Sequence, residues 1–488
     1  MMEEEVLKKK KLEEVNVEDK SLGSVIVSFV NAGGEDLGYE VSMNKSNTKA
    51  TLDTVINKAL KHPEFRPYSF YIDQIEITNS LKEALDKTSY KSENVVKIQY
   101  RPEAIFEVRP LTRATSTIES NLGEILCLSF SPDGQILGTG SGDKTVQLWD
   151  TVTETPIAKC EKHKGWILCI AWSPDCSLLA TGSMDSKIII WEKDGKEKGE
   201  LKGHTKWITS LSWEPQHLNA DCTRLVSSSK DCTVRIWNVK YMRVETVITG
   251  HTDTVSKVLW GGTGLLYSGS HDRTIKVWND KGKLVRSLEG HAHWVNTLTL
   301  STEYLLRTGS FEYKSEEINL PEERKKHAAK RYKNMLDTIA PGTSERLISG
   351  SDDFTMFLWD PLNSKKSICR MTGHKQLVYH VAFSPNGLLI ASASADKSVK
   401  IWNGLTGKYI GTLRGHVGAV YQISWAADSR LLMSCSKDST VKIWDVKKMK
   451  LLYDLPGHSD EVYAVDWSPD GQKAASGSKD HVLRFWRN

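Results

Sequence analysis

Residues 416–444 read His-Val-Gly-Ala-Val-Tyr-Gln-Ile-Ser-Trp-Ala-Ala-Asp-Ser-Arg-Leu-Leu-Met-Ser-Cys-Ser-Lys-Asp-Ser-Thr-Val-Lys-Ile-Trp, and they end in the frame Ser-x-Asp-x5-Trp. That frame occurs eight times, ending at Trp149, Trp191, Trp237, Trp278, Trp359, Trp402, Trp444 and Trp486. The tryptophans are 41 to 46 residues apart, except for one step of 81. Such a period is typical of four-stranded propeller blades. The sequence therefore predicts a mainly β fold with eight blades in one ring.

Turn and histidine signals recur with the same period. Ser131-Pro-Asp-Gly134 and Ser468-Pro-Asp-Gly471 supply a fixed φ and a glycine between two strands of a blade. A Gly-His pair precedes the frame in six blades, at His204, His251, His291, His374, His416 and His458. The second blade has Lys162-His163 instead, and the first has Ser120-Asn121, so we expect its polar network to be incomplete.

Serine, histidine and aspartate recurring together raise the alternative of a catalytic triad. Nucleophilic catalysis needs one exposed constellation rather than near-copies on every blade, so a structural role is favoured. The pattern resembles WD-repeat propellers, and this resemblance implies a polar network of Trp, Ser, His and Asp in each blade. In the sixth blade its members would be Ser394, His374, Asp396 and Trp402. With no nucleotide-binding loop or metal cluster in the sequence, we expect no enzyme activity.

Only two residues follow Trp486, so we expect the last blade to take its outer strand from elsewhere in the sequence. Residues 112–119 precede the first inner strand, where each repeat has an outer strand, and are predicted to complete the eighth blade. Closing the ring in this way removes an exposed strand edge. The predicted propeller domain spans residues 104–488.

The long step between tryptophans indicates an insertion in the fifth blade, at residues 311–346. Pro321 suits a helix start, and an apolar stripe follows at helical spacing: Ala328, Tyr332, Met335, Leu336 and Ile339. The other side of this helix is predicted to carry Arg324, Lys325, Lys326, Lys330, Arg331 and Lys333. These cations could contact an RNA backbone or form a solvated face, and the sequence leaves both readings open.

Three tryptophans stand three residues after a repeat histidine, namely Trp166, Trp207 and Trp294. This position lies at the entrance to an innermost strand and places the three rings near one rim of the central channel. They are candidates for partner binding, because exposed tryptophan anchors many interfaces. The alternative is packing against the neighbouring blade.

Composition and charge favour a soluble, intracellular protein. The 488 residues carry a net charge of +4, which by itself does not argue for nucleic acid. The eight cysteines form no Cys-x-x-Cys, so reduced thiols are expected. Residues 1–22 are predicted to be a flexible charged tail, in which Lys8 to Lys11 are either a nuclear address or a solvated segment. No long apolar run predicts a membrane segment.

Residues 23–103 predict a small α+β domain. Strands are expected at 24–30, 38–43, 68–73 and 95–100, with a helix from Thr51 to Leu60 and a short helix after Ser80. The stripe of the first helix is Leu52, Val55, Ile56, Ala59 and Leu60. This order fits a ubiquitin-like β-grasp, a binding module without the spacing of a metal site.

Three segments carry a closer resemblance: Tyr100 to Arg113, Trp207 to Pro215 and Gly264 to Arg273. They resemble the Notchless family, as does an insertion in the fifth blade. The resemblance implies a non-catalytic assembly factor for the large ribosomal subunit, a monomer of the nucleus, nucleolus and nucleoplasm. Its propeller would dock on pre-ribosomal particles of ribosomal proteins, assembly factors and ribosomal RNA.

The resemblance also implies that midasin, an AAA ATPase, binds the small domain. A loop glutamate of the family completes the coordination of Mg²⁺ in the metal-ion-dependent adhesion site of midasin, and the matching residue here is Glu93. Glu103 and Glu107 are poorer candidates, and the residue types alone would predict a solvated glutamate. The protein would hold no cofactor of its own and share Mg²⁺ with this partner. The alternative function is a signalling or ubiquitin-pathway adaptor linked to Notch.

Overall fold

The computed structural model describes residues 24–31, 36–45, 47–60, 68–72, 75–77, 81–86, 95–102, 108–119, 123–312, 320–339 and 344–487. The chain forms two compact units, Met1–Glu107 and Val108–Asn488. The second unit therefore begins at Val108, four residues after the predicted start of the propeller domain. Residues 1–22, the predicted tail, lie outside the described residues.

In its described residues, the first unit has a five-stranded mixed sheet and two helices. Its strands are β1 (Ser24–Val30), β2 (Asp36–Asn44), β3 (Tyr68–Ile72), β4 (Ile75–Glu76) and β5 (Val96–Pro102), in the order β2-β1-β5-β3-β4. Its helices are α1 (Lys49–Ala59) and α2 (Leu81–Asp86). β1 and β5 pair in parallel at the centre, and the other neighbours are antiparallel. This is the β-grasp order expected from the sequence, with the two-residue β4 as an additional strand.

Helix α1 supplies one side of the core in this unit. Leu52 and Ile56 lie one turn apart and are fully buried. Phe70 of β3 and Ile98 of β5 are also fully buried and belong to the same cluster. The start of β3 is held by Asp53, whose carboxylate accepts a hydrogen bond from the Tyr68 amide at 2.7 Å.

The second unit contains eight four-stranded antiparallel sheets. Blade one comprises β7 (Ile125–Phe130), β8 (Ile136–Ser141), β9 (Thr145–Asp150) and β10 (Pro156–Glu161), and blade two comprises β11 (Ile167–Trp172), β12 (Leu178–Ser183), β13 (Ile188–Glu192) and β14 (Glu197–Leu201). Blade three comprises β15 (Ile208–Trp213), β16 (Arg224–Ser229), β17 (Val234–Asn238) and β18 (Arg243–Ile248), and blade four comprises β19 (Val255–Trp260), β20 (Leu266–Ser270), β21 (Thr274–Trp278) and β22 (Leu284–Glu289).

Blades five to eight follow the same pattern, and the last takes its outer strand from the start of the unit. Blade five comprises β23 (Val295–Leu300), β24 (Leu347–Ser351), β25 (Met356–Trp359) and β26 (Ser367–Met371), and blade six comprises β27 (Val378–Phe383), β28 (Leu389–Ser394), β29 (Ser398–Asn403) and β30 (Tyr409–Arg414). Blade seven comprises β31 (Val420–Trp425), β32 (Leu431–Ser436), β33 (Val441–Asp445) and β34 (Lys450–Leu455), and blade eight comprises β35 (Val462–Trp467), β36 (Lys473–Ser478), β37 (Val482–Arg487) and β6 (Arg113–Glu119).

The ring closes by pairing between β6 and β37. Glu119 lies opposite Val482 and Arg113 opposite Arg487, so β6 is the outer strand of the eighth blade, from the segment in which the sequence places it. The inner strand β35 then lies beside the inner strand β7 of the first blade. The chain just before β6 is also held, because Val108 donates to Asp428 Oδ2 at 2.9 Å and accepts from Arg430 at 2.7 Å.

Small residues in the second strand of each blade allow neighbouring blades to approach closely. All six residues of β12, Leu-Leu-Ala-Thr-Gly-Ser, are buried. A Cβ atom added at Gly182 would lie 2.6 Å from Ile208 Cγ2 of the next blade, so glycine is needed there for steric reasons. The repeated small residues thus belong to the inter-blade core.

The described part of the insertion between β23 and β24 contains two helices, α3 (Glu303–Thr308) and α4 (Pro321–Ile339). Helix α4 starts at Pro321 as expected and buries Ala328, Met335 and Ile339. Helix α3 was not predicted, because it precedes residue 311 and is only six residues long. The insertion therefore begins directly after β23 rather than at residue 311, the start predicted from the sequence.

The ring has two faces that carry different turns. In an antiparallel blade, the turns after the first and third strands lie at one end and the turn after the second strand lies at the other. We call the first end the insertion face, because the insertion follows the first strand of blade five. We call the second end the tryptophan face, because the connections into the inner strands carry Trp166, Trp207 and Trp294.

Candidate interaction surfaces of the propeller

The repeated polar residues form a buried network inside blades two to eight, whereas in blade one Trp149 Nε1 donates to Thr139 Oγ1 at 3.0 Å and no histidine joins them among the described residues. In blade six, Trp402 Nε1 donates to Ser392 Oγ at 2.9 Å, and Ser392 Oγ lies 2.7 Å from His374 Nε2. His374 Nδ1 lies 2.8 Å from Asp396 Oδ2. The assignment of Ser394 to this network was wrong. Its hydroxyl accepts from the Asp396 amide at 3.1 Å and donates to the Leu377 carbonyl at 2.9 Å, which fixes the turn instead.

The network has a structural role, because the Ser392 hydroxyl at its centre is buried and already hydrogen-bonded. Ser392 is fully buried and accepts the indole hydrogen bond, so it is not placed to attack a substrate. Burial alone would raise the pKa of the Asp396 carboxyl, but hydrogen bonds from His374 and Ser398 outweigh it and hold that pKa well below its usual range. The same arrangement is built around Thr181, Ser227, Ser268, Ser349, Ser434 and Ser476.

We expect Ser392→Ala to lower the free energy of unfolding by about 2 kcal/mol, because it leaves the Trp402 indole N–H and the His374 ring buried without their partner. Guanidinium unfolding followed by tryptophan fluorescence measures this change. Ser392→Thr is the matched control, since Thr181 fills this place in blade two. Equal stabilities of the alanine and threonine variants would contradict the assignment.

The three predicted tryptophans are exposed on the tryptophan face. Trp166, Trp207 and Trp294 are 49%, 42% and 44% exposed, so nearly half of each residue is open to solvent. Part of each of two rings also packs locally, since Lys230 Nζ lies 4.3 Å from the Trp207 ring centroid and His271 stacks on Trp294 at 4.5 Å. His271 belongs to blade four and Trp294 leads into blade five, so the predicted alternative of packing against the neighbouring blade holds in part at that ring.

A row of tyrosines on the same face was missed in the sequence. Tyr379, Tyr421 and Tyr463 are the second residues of three successive inner strands, β27, β31 and β35. Their ring centroids lie 5.4 and 5.7 Å apart, and Tyr421 donates to Glu461 at 2.8 Å. The repeated Val-Tyr pair at 378, 420 and 462 is the signal that could have identified them.

The basic residues of α4 divide into two groups. Arg331 does not lie on the outer side as predicted, because its guanidinium donates to the Gly309 and Phe311 carbonyls at 2.6 Å each. Burial lowers the pKa of Arg331. Arg324 is half-buried over the Phe311 ring, and Lys325 is half-buried as well. The exposed members are Lys326, Lys330 and Lys333.

The insertion crosses the mouth of the central channel on its own face. Arg307 of α3 contacts Asp466 of β35 at 3.1 Å, and the Tyr304 hydroxyl donates to the Pro469 carbonyl in blade eight. As the chain returns towards blade five, the Tyr332 ring of α4 stacks on the His217 ring of blade three, with 4.5 Å between the ring centroids. The buried Glu345, whose pKa burial raises, then accepts from the Gly262 amide of blade four at 2.9 Å. The insertion of blade five is thereby joined to the neighbouring blade four and to the more distant blades three and eight.

Glu93 lies outside the described residues, as do Glu103 and Glu107. Among the residues that the structure describes, no three His, Cys, Asp or Glu side chains are grouped so that they could hold a metal ion. None of the described helices is long and apolar enough to cross a membrane.

Comparisons with known proteins agree with both units. Residues 25–85 match the NLE (NUC135) domain, and residues 365–403, 407–445 and 449–487 match the WD domain, G-beta repeat. Residues 120–311 match the model described as IFT122 first beta-propeller. Protein Notchless of Drosophila melanogaster is 46% identical over 388 residues, which are 78% of each chain. The chain belongs to the Notchless family.

Other members of the Notchless family are equally similar. The Notchless protein homolog of Arabidopsis thaliana is 50% identical over 80% of this chain and 82% of its own. Ribosome assembly protein 4 of Saccharomyces cerevisiae is 45% identical over 82% of this chain and 81% of its own. The crystal structure of the computationally designed Ika8 protein superposes with a TM-score of 0.60 at 23% identity, covering 77% of this chain and all of that one. That last likeness concerns the fold alone.

Proposed function

We propose that this Notchless-family protein is a non-catalytic assembly factor for the large ribosomal subunit, working in the nucleus and nucleolus as a monomer. The observation that supports it most is the 45% identity, across four-fifths of both chains, to a protein named Ribosome assembly protein 4. The buried and repeated Ser-His-Asp network agrees with a scaffold rather than an enzyme. The ring offers the particle two faces, of which the tryptophan face carries the aromatic anchors.

In this proposal a protein partner on the particle binds Trp166, Trp207 and Trp294. Rings that are nearly half exposed bury large apolar area when a partner covers them. Lys230 contacts the Trp207 ring and His271 stacks on the Trp294 ring. These contacts restrict the orientations of the two rings, so less side-chain freedom is lost on binding.

The NLE domain is the part that midasin would capture. Mg²⁺ prefers six oxygen ligands and commonly keeps water at some of them, so a carboxylate from another chain can take one position. Glu93 supplies that oxygen in the proposal, and the ion belongs to the partner's adhesion site. ATP-driven motion of midasin would then pull on the propeller through the segment that leads to Val108.

Glu93→Ala is expected to abolish Mg²⁺-dependent capture by midasin while leaving docking on the particle intact, because the substitution removes one metal ligand and nothing else. Sucrose-gradient sedimentation of tagged protein from nuclear extract, with precursor ribosomal RNA and midasin probed in each fraction, measures both. The variant should accumulate on stalled particles.

Glu103→Ala and Glu107→Ala are the matched controls and should behave as wild type. Capture of the Glu93→Ala protein that is equally strong with and without Mg²⁺ would refute the ligand role. If wild type and variant both remain at the top of the gradient, free of ribosomal RNA, the adaptor function linked to Notch becomes the better explanation.

A further inference from the structure

A cavity lies on the insertion face, between α4 and the turns of blades six and seven. Its volume is about 500 Å³, within the range of sites for small organic groups. Leu305, Met335 and Pro385 give it apolar walls, and Asn334, Asn386 and Ser429 add amide and hydroxyl groups. A flat, partly polar group such as a nucleobase matches this combination in size and character.

Three lysines lie on the outer side of α4, and one of them also lines the cavity. Lys326, Lys330 and Lys333 fall within an arc of roughly 60° and span about 10 Å along the helix. All three are exposed, and among the described residues none of them forms an ion pair with a carboxylate. Lys330 is the member that lines the cavity. No acidic residue occurs between Arg324 and Asn334, so the middle of this side of α4 attracts anions, while Glu322 and Glu323 precede it and Asp337 follows it on the same side.

We infer that the insertion face binds single-stranded RNA, with phosphates on Lys326, Lys330 and Lys333 and one nucleobase in the adjacent cavity. Proteins that bind single strands combine a cationic track for the backbone with pockets for splayed bases. This inference rests on the proposed function, since it names a partner for the propeller on a pre-ribosomal particle. It reduces the six cations proposed from the sequence to the three that are exposed.

An acidic protein segment fits this surface less well than RNA does. The cavity is also lined by Glu312 and Asp428, which would repel a carboxylate entering beside Lys330. The Glu312 carboxylate, whose side chain is 53% exposed, can accept a hydrogen bond from the exocyclic amine of a nucleobase, whereas Asp428 is 6% exposed and already accepts from the Val108 amide. An RNA strand with its phosphates on the exposed lysines and an amine-bearing base in the cavity is therefore complementary to both the lysine ammonium groups and the cavity carboxylate.

The experiment is fluorescence anisotropy of a labelled 16-nucleotide single-stranded RNA with the full-length protein over a series of salt concentrations. Lys326→Gln/Lys330→Gln/Lys333→Gln should reduce affinity about 100-fold at 0.1 M salt and make the salt slope shallower by about 2, as expected for three lost phosphate contacts on a single strand. A strand of the same length with abasic sites should also bind more weakly, since it cannot fill the cavity.

The matched control is Lys164→Gln/Lys206→Gln/Lys375→Gln, which removes three exposed lysines from the tryptophan face and should bind RNA as wild type does. Three outcomes would overturn the inference: equal loss in both triple variants, equal binding of abasic and normal RNA, or equal binding of polyglutamate. If any of these outcomes is found while the wild-type protein still sediments with precursor particles, the proposed function is not contradicted. Loss of particle association by wild type would remove the proposed function instead.

Discussion

Deleting residues 112–119 is expected to leave the propeller insoluble, which is the largest effect that any of these changes should have. The deletion removes β6 and exposes the whole hydrogen-bonding edge of β37, where Arg484 and Phe485 now pair with Thr117 and Ser116. An unpaired edge is a template for aggregation. It also removes Ile118, which packs on the fully buried Leu483 and Phe485. Soluble fraction after expression and the thermal unfolding curve are the measurements.

Co-expression of residues 1–119 and 120–488 as separate chains is the control for this deletion. Because β6 is held by hydrogen bonds to β37 and by the Val108 contacts to Asp428 and Arg430, the strand should complete the ring without covalent linkage. Solubility should then return. A deleted protein that stays soluble and monomeric and melts in one cooperative transition would show that β6 does not close the ring.

Asp466→Ala is expected to lower the free energy of unfolding by about 2–3 kcal/mol, because it leaves the Phe130 amide and the Ser424 hydroxyl without their acceptor and breaks an ion pair whose Arg307 side chain is 35% exposed. Asp466 is 5% exposed and accepts from Arg307 of α3, from the Phe130 amide of blade one at 3.0 Å and from Ser424 of blade seven at 3.2 Å. Its loss therefore affects three blades and the insertion together. Chemical denaturation measures the stability.

A double-mutant cycle separates the ion pair from the other hydrogen bonds of Asp466. Arg307→Met should destabilise the wild type but have a smaller effect in an Asp466→Asn background, with a coupling energy of about 1–3 kcal/mol. Additive effects would mean that the insertion is not fastened to blade eight through Arg307. In that case the crossing of the channel would depend on Tyr304 and on the contacts of α4.

The site of the blade network was only partly predictable from sequence. Trp402, His374 and Asp396 follow from the repeat, but the hydroxyl was assigned to Ser394 instead of Ser392. Side chains two residues apart on a strand point to the same side, and both are serines, so alternation cannot separate them. The pairing of β28 with β29, in which Ile390 lies opposite Trp402, places Ser392 within reach of the indole.

The position of Arg331 shows a similar limit. Helical spacing gives the centre of an apolar stripe but not its width, which depends on what the helix packs against. Here the carbonyls of Gly309 and Phe311 face the helix and draw the Arg331 guanidinium inward. Lys326, Lys330 and Lys333 remain exposed because they lie on the side of α4 opposite the buried Ala328 and Met335.

The eight blades, the closing strand and the β-grasp domain could all be read from the amino-acid order, since each depends on local periodicity or on a pattern repeated around the ring. The path of the insertion across the channel could not. Arg307 and Asp466 are 159 residues apart; Arg307 lies in the insertion, and no other blade has an aspartate at the position of Asp466 in its inner strand. Contacts between unrepeated segments leave no period in the chain, so they are set by shape and charge once the ring has formed. The face on which the free lysines lie follows from that packing.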